Sequence, residues 1–496
     1  MKRFKMFVNN EWIEASDGGT FLTLDPSKNE PIAELPAATK DDVDNAVKAA
    51  ENAFKSGIWS ELDGDERAEY MLKAANIMKK RAKELAEWEA MNSGKPIMET
   101  EKVDIPYSIR AMEYFANLSR EIKGEVIPIP GKYAFDYVTY EPYGVVASVT
   151  PWNFPLHLST RSICPAIAVG NCVVAKTSSM APVTTTILGE IMQEAGFPKG
   201  TINILSGSGG VTGEALIFHP GVDMVTFTGS LSIGRRVIEA SAKSKKIKKM
   251  ILELGGKGPF IAEPDCDISG AVNSVIVGFC LNQGEVCCAS TRLFLNEKIY
   301  DSFMELLVKR VKSLKLGNTM DPSTQIGSLI SREQLIQVDN HVKEAISAGA
   351  KLVCGGSKYN EPPYNKGNYY IPTILENVTN DMKCAQEEIF GPVLVVIKYK
   401  ELDEAISMAN DNEYGLGSTI WSEDPRKLYW SARELNSGTV WMNTNVMSKM
   451  EAPYGGNKNS GMGREYGTIG IKEYLKTKNN ILYVGKNYDN FYGFEE

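Results

Sequence analysis

Three short segments carry side chains with the chemistry to work on a carbonyl: Asn153 in TPWNFP (150–155), Glu253 in LELGG (252–256) and Cys287 in GEVC (284–287). A thiolate is a strong nucleophile. Glu253 stands between Leu252 and Leu254, where a carboxylate is costly to bury without a partner or a task, and burial would raise its pKa toward the range useful to a general base. A neutral amide such as Asn153 suits an oxyanion that appears and disappears during turnover. Each residue also has an inert alternative: a cysteine packed in a core, a capping or ion-paired glutamate, and a turn asparagine before Phe-Pro.

The rest of the composition narrows the chemistry. Only three histidines are present, His157, His219 and His341, none spaced as metal ligands, and the eight cysteines include no C-x-x-C pair. No metal site is therefore expected. A Cys-His or Ser-His hydrolase would have to recruit one of those histidines, with no motif in support. A net charge of -8 gives no reason to expect nucleic acid, and the basic run Lys243, Lys245, Lys246, Lys248 and Lys249 reads as a solvated helix end. The apolar stretch in MKRFKMFVNNEW is too short for a signal peptide, and no run approaches the ~18 apolar residues of a membrane span. The expected location is the cytoplasm.

These residues need a scaffold, and the pattern supplies one. At 496 residues the chain accommodates roughly three domains of ~150 residues. The segment from Thr39 has apolar residues at Val43, Ala46, Val47, Ala50 and Phe54 behind a Thr39/Asp42 start signal, and a longer helix is expected from about Asp65 to Met91. Beyond Tyr143, GVVASVT, NCVVAK, INILSG and DMVTFTG read as buried parallel strands joined by crossover helices. The alternation recurs after Cys287, where SREQLIQVDNHVKEAISAGA runs into KLVCGG and ARELNSG into TVWMNT. The β-prone tail TKNNILYVGKN is too isolated for a sheet of its own and is expected to pair with another strand or subunit.

The three segments, with FTGS (227–230) and EEIFGP (387–392), resemble in order and spacing the NAD(P)-dependent aldehyde dehydrogenase superfamily over nearly the whole chain. The resemblance implies an α/β fold: a Rossmann-like cofactor domain (1–122 and 143–253), an α/β catalytic domain (254–460), and a β oligomerisation arm with the C-terminal segment (123–142 and 461–496). It implies that Cys287 attacks an aldehyde, that Asn153 and the Cys287 N–H form the oxyanion hole, and that Glu253 activates water against the thioester. Glu253 also argues against acyl transfer to coenzyme A, because members using that acceptor lack it. The family usually has Gln where Glu285 stands, a departure expected to shift local charge without removing the nucleophile.

No ordinary G-x-G-x-x-G is present. By resemblance, Gly229, Ser230 and Gly234 form the turn near the pyrophosphate, Glu388 holds the nicotinamide ribose, and Trp152 and Phe390 belong to the same cofactor site. Lys176 matches the adenosine-ribose contact. Three residues on, where NAD-preferring members often carry Glu, stands Ser179, so NADP is admissible beside NAD. Eight positions after Asn153 the chain has Arg161, where members taking apolar aldehydes or betaine aldehyde usually carry an aromatic residue. With Ser448, Phe154 and Tyr454 as further substrate residues, Arg161 points to a small acidic or hydroxylated aldehyde of the succinate-semialdehyde or lactaldehyde type. Leu281 replaces a second arginine of the former branch, and Arg161 paired with a carboxylate is the structural alternative. QGEVCCASTR resembles the betaine-aldehyde and trimethylaminobutyraldehyde branches, which keeps a cationic aldehyde open. Cys288 reads as a packing residue rather than a redox partner of Cys287. The remaining alternative class is a non-catalytic structural relative. A homodimer or homotetramer is expected.

Overall fold

The computed structural model describes residues 1–130, 133–486 and 491–493. Its first sheet is built on the four apolar runs read from the sequence. Val145–Val149, Cys172–Lys176, Ile202–Leu205 and Met224–Thr228 lie parallel, joined by Lys249–Glu253 on the far side of Met224–Thr228. These strands are buried along nearly their whole length, as two-sided cover by helices requires. Antiparallel strands close both edges: Met6–Val8 with Glu11–Ile13 beside Ile202–Leu205, and Gly461–Met462 beside Lys249–Glu253.

A second, seven-stranded sheet runs in the order Lys351–Cys354, Thr373–Glu376, Val393–Tyr399, Ser290–Asn296, Gly258–Ala262, Gly417–Trp421, Thr439–Met442. All neighbours are parallel except the first pair, so KLVCGG forms an antiparallel edge rather than a buried parallel strand. A third, antiparallel sheet joins Leu475–Tyr483 to Ala134–Pro142 and then Glu125–Ile127. The tail thus finds its partner within the chain. Val126, Ile127, Phe135, Ile481 and Leu482 remain exposed on this arm.

Three local expectations are revised. The helix expected from about Asp65 to Met91 is two helices, Gly64–Lys80 and Ala82–Ser93, broken at Arg81, whose guanidinium is drawn to Glu84 and to Glu190 of a neighbouring helix, each at 2.7 Å. The basic run is not wholly solvated: Lys248 is buried, and its Nζ donates to the carbonyls of Ile217 (2.9 Å) and His219 (2.6 Å). The segment from 461 does not start the arm, because Gly461–Met462 belongs to the first sheet and Gly467–Lys472 is a helix; the arm strand begins at Leu475. Residues 131–132, 487–490 and 494–496 of the expected arm and C-terminal segment lie outside the described residues. Among the described residues no helix is long and apolar enough to cross a membrane. The Thr39 capping box is present as read, with Asp42 returning a bond to the Thr39 N–H at 2.8 Å.

Candidate functional site

The site assembles where the C-terminal ends of the first sheet's strands face the loops of the second. Glu253 ends its strand beside Thr228, and Asn153 lies in the loop between Val149 and the helix Pro155–Ala168, which has proline in its first turn, where a missing N–H costs nothing. Cys287 comes from the other half of the molecule. After the helix Ile268–Cys280 the chain turns through Asn282 (φ 46°), Gln283 (φ 54°) and Gly284 (φ 75°), three successive left-handed residues. That conformation is costly for non-glycine residues, and side chains hold it in place. Asn282 Nδ2 donates to the carbonyls of Asn153 (2.9 Å) and Glu285 (3.1 Å), while Gln283 Oε1 accepts from Gly327 N–H at 3.1 Å. At Gly284 a Cβ would stand 2.3 Å from the Gly391 carbonyl oxygen, so no side chain fits there.

Two cavities meet at this turn. One, of about 270 Å³, is walled mainly by apolar and aromatic side chains, among them Tyr107, Phe154, Leu281, Trp441, Tyr454 and Tyr466, with Arg161, His157, Asn445 and Ser448 as polar members. The other, of about 250 Å³, is lined by Trp152, Asn153, Gly229, Ser230, Glu253, Glu388 and Phe390 among others. Of the residues lining the two, Cys287 alone lines both. Cys288 lines the first only and is buried.

Asn153 is fixed from both ends. Its Nδ2 donates to the Glu285 carbonyl at 2.9 Å, with no partner for the second amide hydrogen among the described residues, and its backbone carbonyl accepts from Lys95 Nζ at 2.8 Å as well as from Asn282. Lys95 is wholly buried; it pairs with Asp104 at 2.6 Å, and its ammonium stands 3.8 Å from the centroid of the Phe154 ring. Around that pair lie two more buried carboxyls. Glu89 accepts from the Leu156 N–H at 3.1 Å and from Thr184, and burial followed by Asp104 pushes its pKa up to about 7. Glu99 accepts from the Asn282 N–H at 2.9 Å, and burial pushes it up to about 8.

Glu253 is 2% exposed, and neither carboxyl oxygen has a hydrogen-bond partner among the described residues. Burial raises its pKa well above the usual carboxylate value; Arg161 opposes the shift, and Glu465 and Cys287 add to it. The Cys287 thiol is pushed up by its neighbour Cys288 and by burial, against the pull of Arg161 and of the Tyr454 hydroxyl 3.7 Å from its sulfur. Glu285 is fully buried with one oxygen accepting from the Ile330 N–H at 3.0 Å, and burial raises its pKa well above the usual carboxylate value, which works against the shift of local charge expected from the sequence.

Arg161 lines the Cys287 cavity and is 3% exposed. Its Nη2 donates to Thr228 Oγ1 at 2.8 Å, and no carboxylate lies within ion-pair distance among the described residues. Burial works against its charge, yet Glu465, Tyr466, Glu253 and Cys287 together hold it protonated. His157, which the sequence offered only as a scarce histidine, lines the same cavity. Burial, then Arg161 and Lys95, push its pKa down to about 3, so its ring is a neutral partner to the Tyr466 hydroxyl at 2.6 Å.

In the second cavity Glu388 accepts from the Gly256 N–H at 3.0 Å and is pushed up to about 8 by burial, and the Trp152 and Phe390 rings meet edge-on at 5.3 Å. Ser230 caps the helix Leu231–Lys243, whose N-terminus opens beside this cavity. Gly234 does not line it; a Cβ there would lie 2.7 Å from Leu254, so this glycine lets helix and strand pack. Lys176 and Ser179 are likewise outside its wall. Lys176 is buried at the end of its strand, level with Val149 and Leu205, and burial pushes it down to about 8.

Lys95, Asp104, Glu99, Asn282, Glu465 and His157 are the parts of this arrangement that the sequence did not single out. A signal was available at Lys95, a cation within a glycine-containing turn, but Ser-Gly-Lys-Pro also reads as a plain helix stop.

Comparison with known proteins places these observations. Residues 12–480 match the model of the aldehyde dehydrogenase family. The chain is 40% identical over 483 residues to aldehyde dehydrogenase, cytosolic 1 of Elephantulus edwardii, covering 97% of this chain and 95% of that one. Among solved structures, betaine aldehyde dehydrogenase of Staphylococcus aureus in complex with NAD+ superposes with a TM-score of 0.96 at 35% identity, covering 99% of each chain. Indole-3-acetaldehyde dehydrogenase of P. syringae, also in complex with NAD+, does so with a TM-score of 0.94 at 36% identity, covering 97% of this chain and 96% of that one.

Proposed function

Since the chain belongs to the aldehyde dehydrogenase family, has its α/β fold and is an NAD(P)-dependent aldehyde dehydrogenase, we propose that Cys287, Glu253 and Asn153 carry the reaction. The observation that carries this reading is the position of Cys287 between the two cavities, with Glu253 and Asn153 on the second. A carbonyl bound in the aromatic cavity is attacked by the Cys287 sulfur, and the resulting oxyanion takes the free Asn153 amide hydrogen and the Cys287 N–H. Once the carbonyl carbon has lost its hydride, a thioester remains on Cys287. Glu253, deprotonated, takes a proton from water as that water attacks the thioester; the C–S bond then breaks, the acid leaves, and the proton passes back to the departing sulfur to restore the thiol.

The second cavity fits a nicotinamide dinucleotide. Gly255 has no room for a side chain, since a Cβ there would meet Glu388 Oε2 at 2.3 Å, and a helix N-terminus capped by Ser230 faces the same space. Glu388 would hold the nicotinamide ribose, Trp152 and Phe390 would flank the ring, Gly229 and Ser230 would receive the pyrophosphate with Gly234 packing behind them, and Lys176 and Ser179 would meet the adenosine ribose. A bound nicotinamide supplies the hydride acceptor. NAD+ is bound in both related structures; the Ser179 hydroxyl, in place of a repelling carboxylate, supports use of NADP as well.

For the substrate, one guanidinium in a mostly apolar wall supports a short aldehyde with a carboxylate or hydroxyl near Arg161, Ser448 serving at the mouth, as in succinate semialdehyde or lactaldehyde. The aromatic side chains of Tyr107, Trp441 and Tyr466 in the wall favour a second reading, a betaine-type cation, against which Arg161 counts. The exposed apolar residues of the arm support a homodimer or homotetramer, and a cytosolic relative supports a cytoplasmic location. The deciding experiment follows reduced-nicotinamide absorbance with NAD and NADP crossed against succinate semialdehyde, lactaldehyde, betaine aldehyde and an alkyl aldehyde, with Cys287→Ala as control. Turnover by Cys287→Ala refutes the mechanism. Preference for betaine aldehyde overturns the role given to Arg161.

A further inference from the structure

The Tyr454 hydroxyl lies 3.7 Å from the Cys287 sulfur, within hydrogen-bond reach of it, and Tyr454 is only 8% exposed. Its place is fixed by its backbone. Tyr454 N–H donates to the Glu465 carbonyl at 2.8 Å, and Glu465 N–H returns a bond to the Tyr454 carbonyl at 2.7 Å. The ring stands 5.7 Å from the Arg161 guanidinium, in the same cavity wall. The next residue, Gly455, leaves space for the base: a Cβ there would stand 2.7 Å from Glu253 Oε1. One dipeptide step therefore meets the thiol with a hydroxyl and the carboxyl with a bare Cα.

We propose that the Tyr454 hydroxyl is a catalytic hydrogen-bond donor to Cys287, holding its sulfur as thiolate at the boundary of the two cavities, with Arg161 supplying the positive charge behind the same ring. This inference rests on Cys287 being the nucleophile. The need for such a donor is physical, because Cys288 and burial disfavour the ionised form of Cys287, and Glu253 and Glu388 add to this when they are ionised. Arg161 and Tyr454 are the two groups that favour it, and both also act on the buried neighbour Cys288, whose thiol the Tyr454 hydroxyl meets as well. Tyr454 does not compete for the charge. Burial, and then Cys287 itself, push its own pKa well above the usual tyrosine value, so it remains a donor throughout. No proton need leave the phenol; the bond strengthens as the sulfur gains charge and weakens when the thioester removes it.

The test is the pH dependence of Cys287 alkylation by iodoacetamide, without aldehyde, with the modified cysteine located by peptide mass in wild type and in Tyr454→Phe. Phenylalanine keeps the ring and removes only the hydroxyl, and a thermal unfolding curve checks the fold. The expected result is a midpoint raised by about one pH unit, a tenfold smaller thiolate fraction below it, equivalent to about 1.4 kcal/mol. kcat/KM near neutral pH should fall by up to about tenfold and recover as the pH is raised past the new midpoint. A midpoint unchanged or lowered, with the label still on Cys287, overturns the role of Tyr454 and leaves Cys287 as nucleophile. A label on Cys288 instead overturns the reading of Cys287 itself, and this inference with it.

Discussion

Lys95→Met separates positioning from stability at this site. In the wild type its Nζ holds the Asn153 carbonyl at 2.8 Å, pairs with Asp104 at 2.6 Å, and stands over Phe154. Methionine keeps most of the apolar stem and drops the charge. Both members of the ion pair are fully buried, and removing one partner of such a pair costs about 3–5 kcal/mol, because the other is stranded. Asp104, already raised by burial, would then take up a proton. The catalytic effect has a separate source. One of the two donors on the Asn153 carbonyl is gone, Asn282 alone remains, and a misplacement of the order of 1 Å at such a position costs up to about 100-fold in rate. The loss should fall on kcat, with cofactor affinity near that of wild type. The double variant Lys95→Met/Asp104→Leu removes both charges, and replacing a buried pair by apolar residues is often neutral for stability. Thermal unfolding and steady-state kcat, measured on all three proteins, should show stability returning in the double variant while kcat stays low. Recovery of kcat together with stability would refute the positioning argument and leave Lys95 a purely structural residue.

Three further outcomes follow from the buried carboxyls and the amide. Glu253→Gln should give a burst of reduced cofactor followed by slow turnover in stopped-flow absorbance, and an unchanged steady rate would remove Glu253 from deacylation. Because burial raises Glu253 well above the usual carboxylate range, wild-type deacylation should rise with pH, with its acid limb well above that range, and the limb should be absent in the variant. Glu99 is raised from 4.5 to about 8 in the folded protein, so its contribution is fully present below the unfolded value and is lost as pH rises through the folded one. Between those values stability should fall by about 1.4 kcal/mol per pH unit; Glu99→Gln should flatten the pH dependence of Tm, and an unchanged slope would exclude it. Asn153→Ala should lower kcat by about 100- to 1,000-fold, read as single-turnover reduction of the cofactor with saturating aldehyde, and a loss under threefold would leave the oxyanion to the backbone N–H alone.

What the sequence discloses depends on the range of the interaction that fixes each feature. Strands such as Cys172–Lys176 and Met224–Thr228 are legible because two-sided burial writes itself as an apolar run. The apolar flanks of Glu253 likewise announce a buried carboxyl without naming its surroundings. The break at Arg81 is hidden because one of the two carboxylates that meet its guanidinium there, Glu190, is more than a hundred residues away. Lys248 looks like its lysine neighbours until the carbonyls of Ile217 and His219 close over it. Arg161 shows the limit most clearly. Its residue type advertises charge, yet whether that charge serves a substrate, the thiol or Glu465 depends on four elements that meet only in the folded chain.

The short strand Gly461–Met462 has a bearing on how the molecule is made. It completes the edge of the first sheet beside Glu253, pairing Gly461 with Glu253 and Met462 with Leu252, and Leu254 N–H reaches back to the Ser460 carbonyl at 2.8 Å. During synthesis at about 5–20 residues per second, the ribosome adds some two hundred residues after Glu253 before this strand exists, an interval on the order of ten to forty seconds. Through that interval the sheet edge at Lys249–Glu253 is open and available to foreign strands. The lobe that forms first therefore waits, unfinished, for the lobe made after it, and a nascent chain stopped just short of residue 460 would carry Asn153, Glu253 and Cys287 without the edge that seats Glu253.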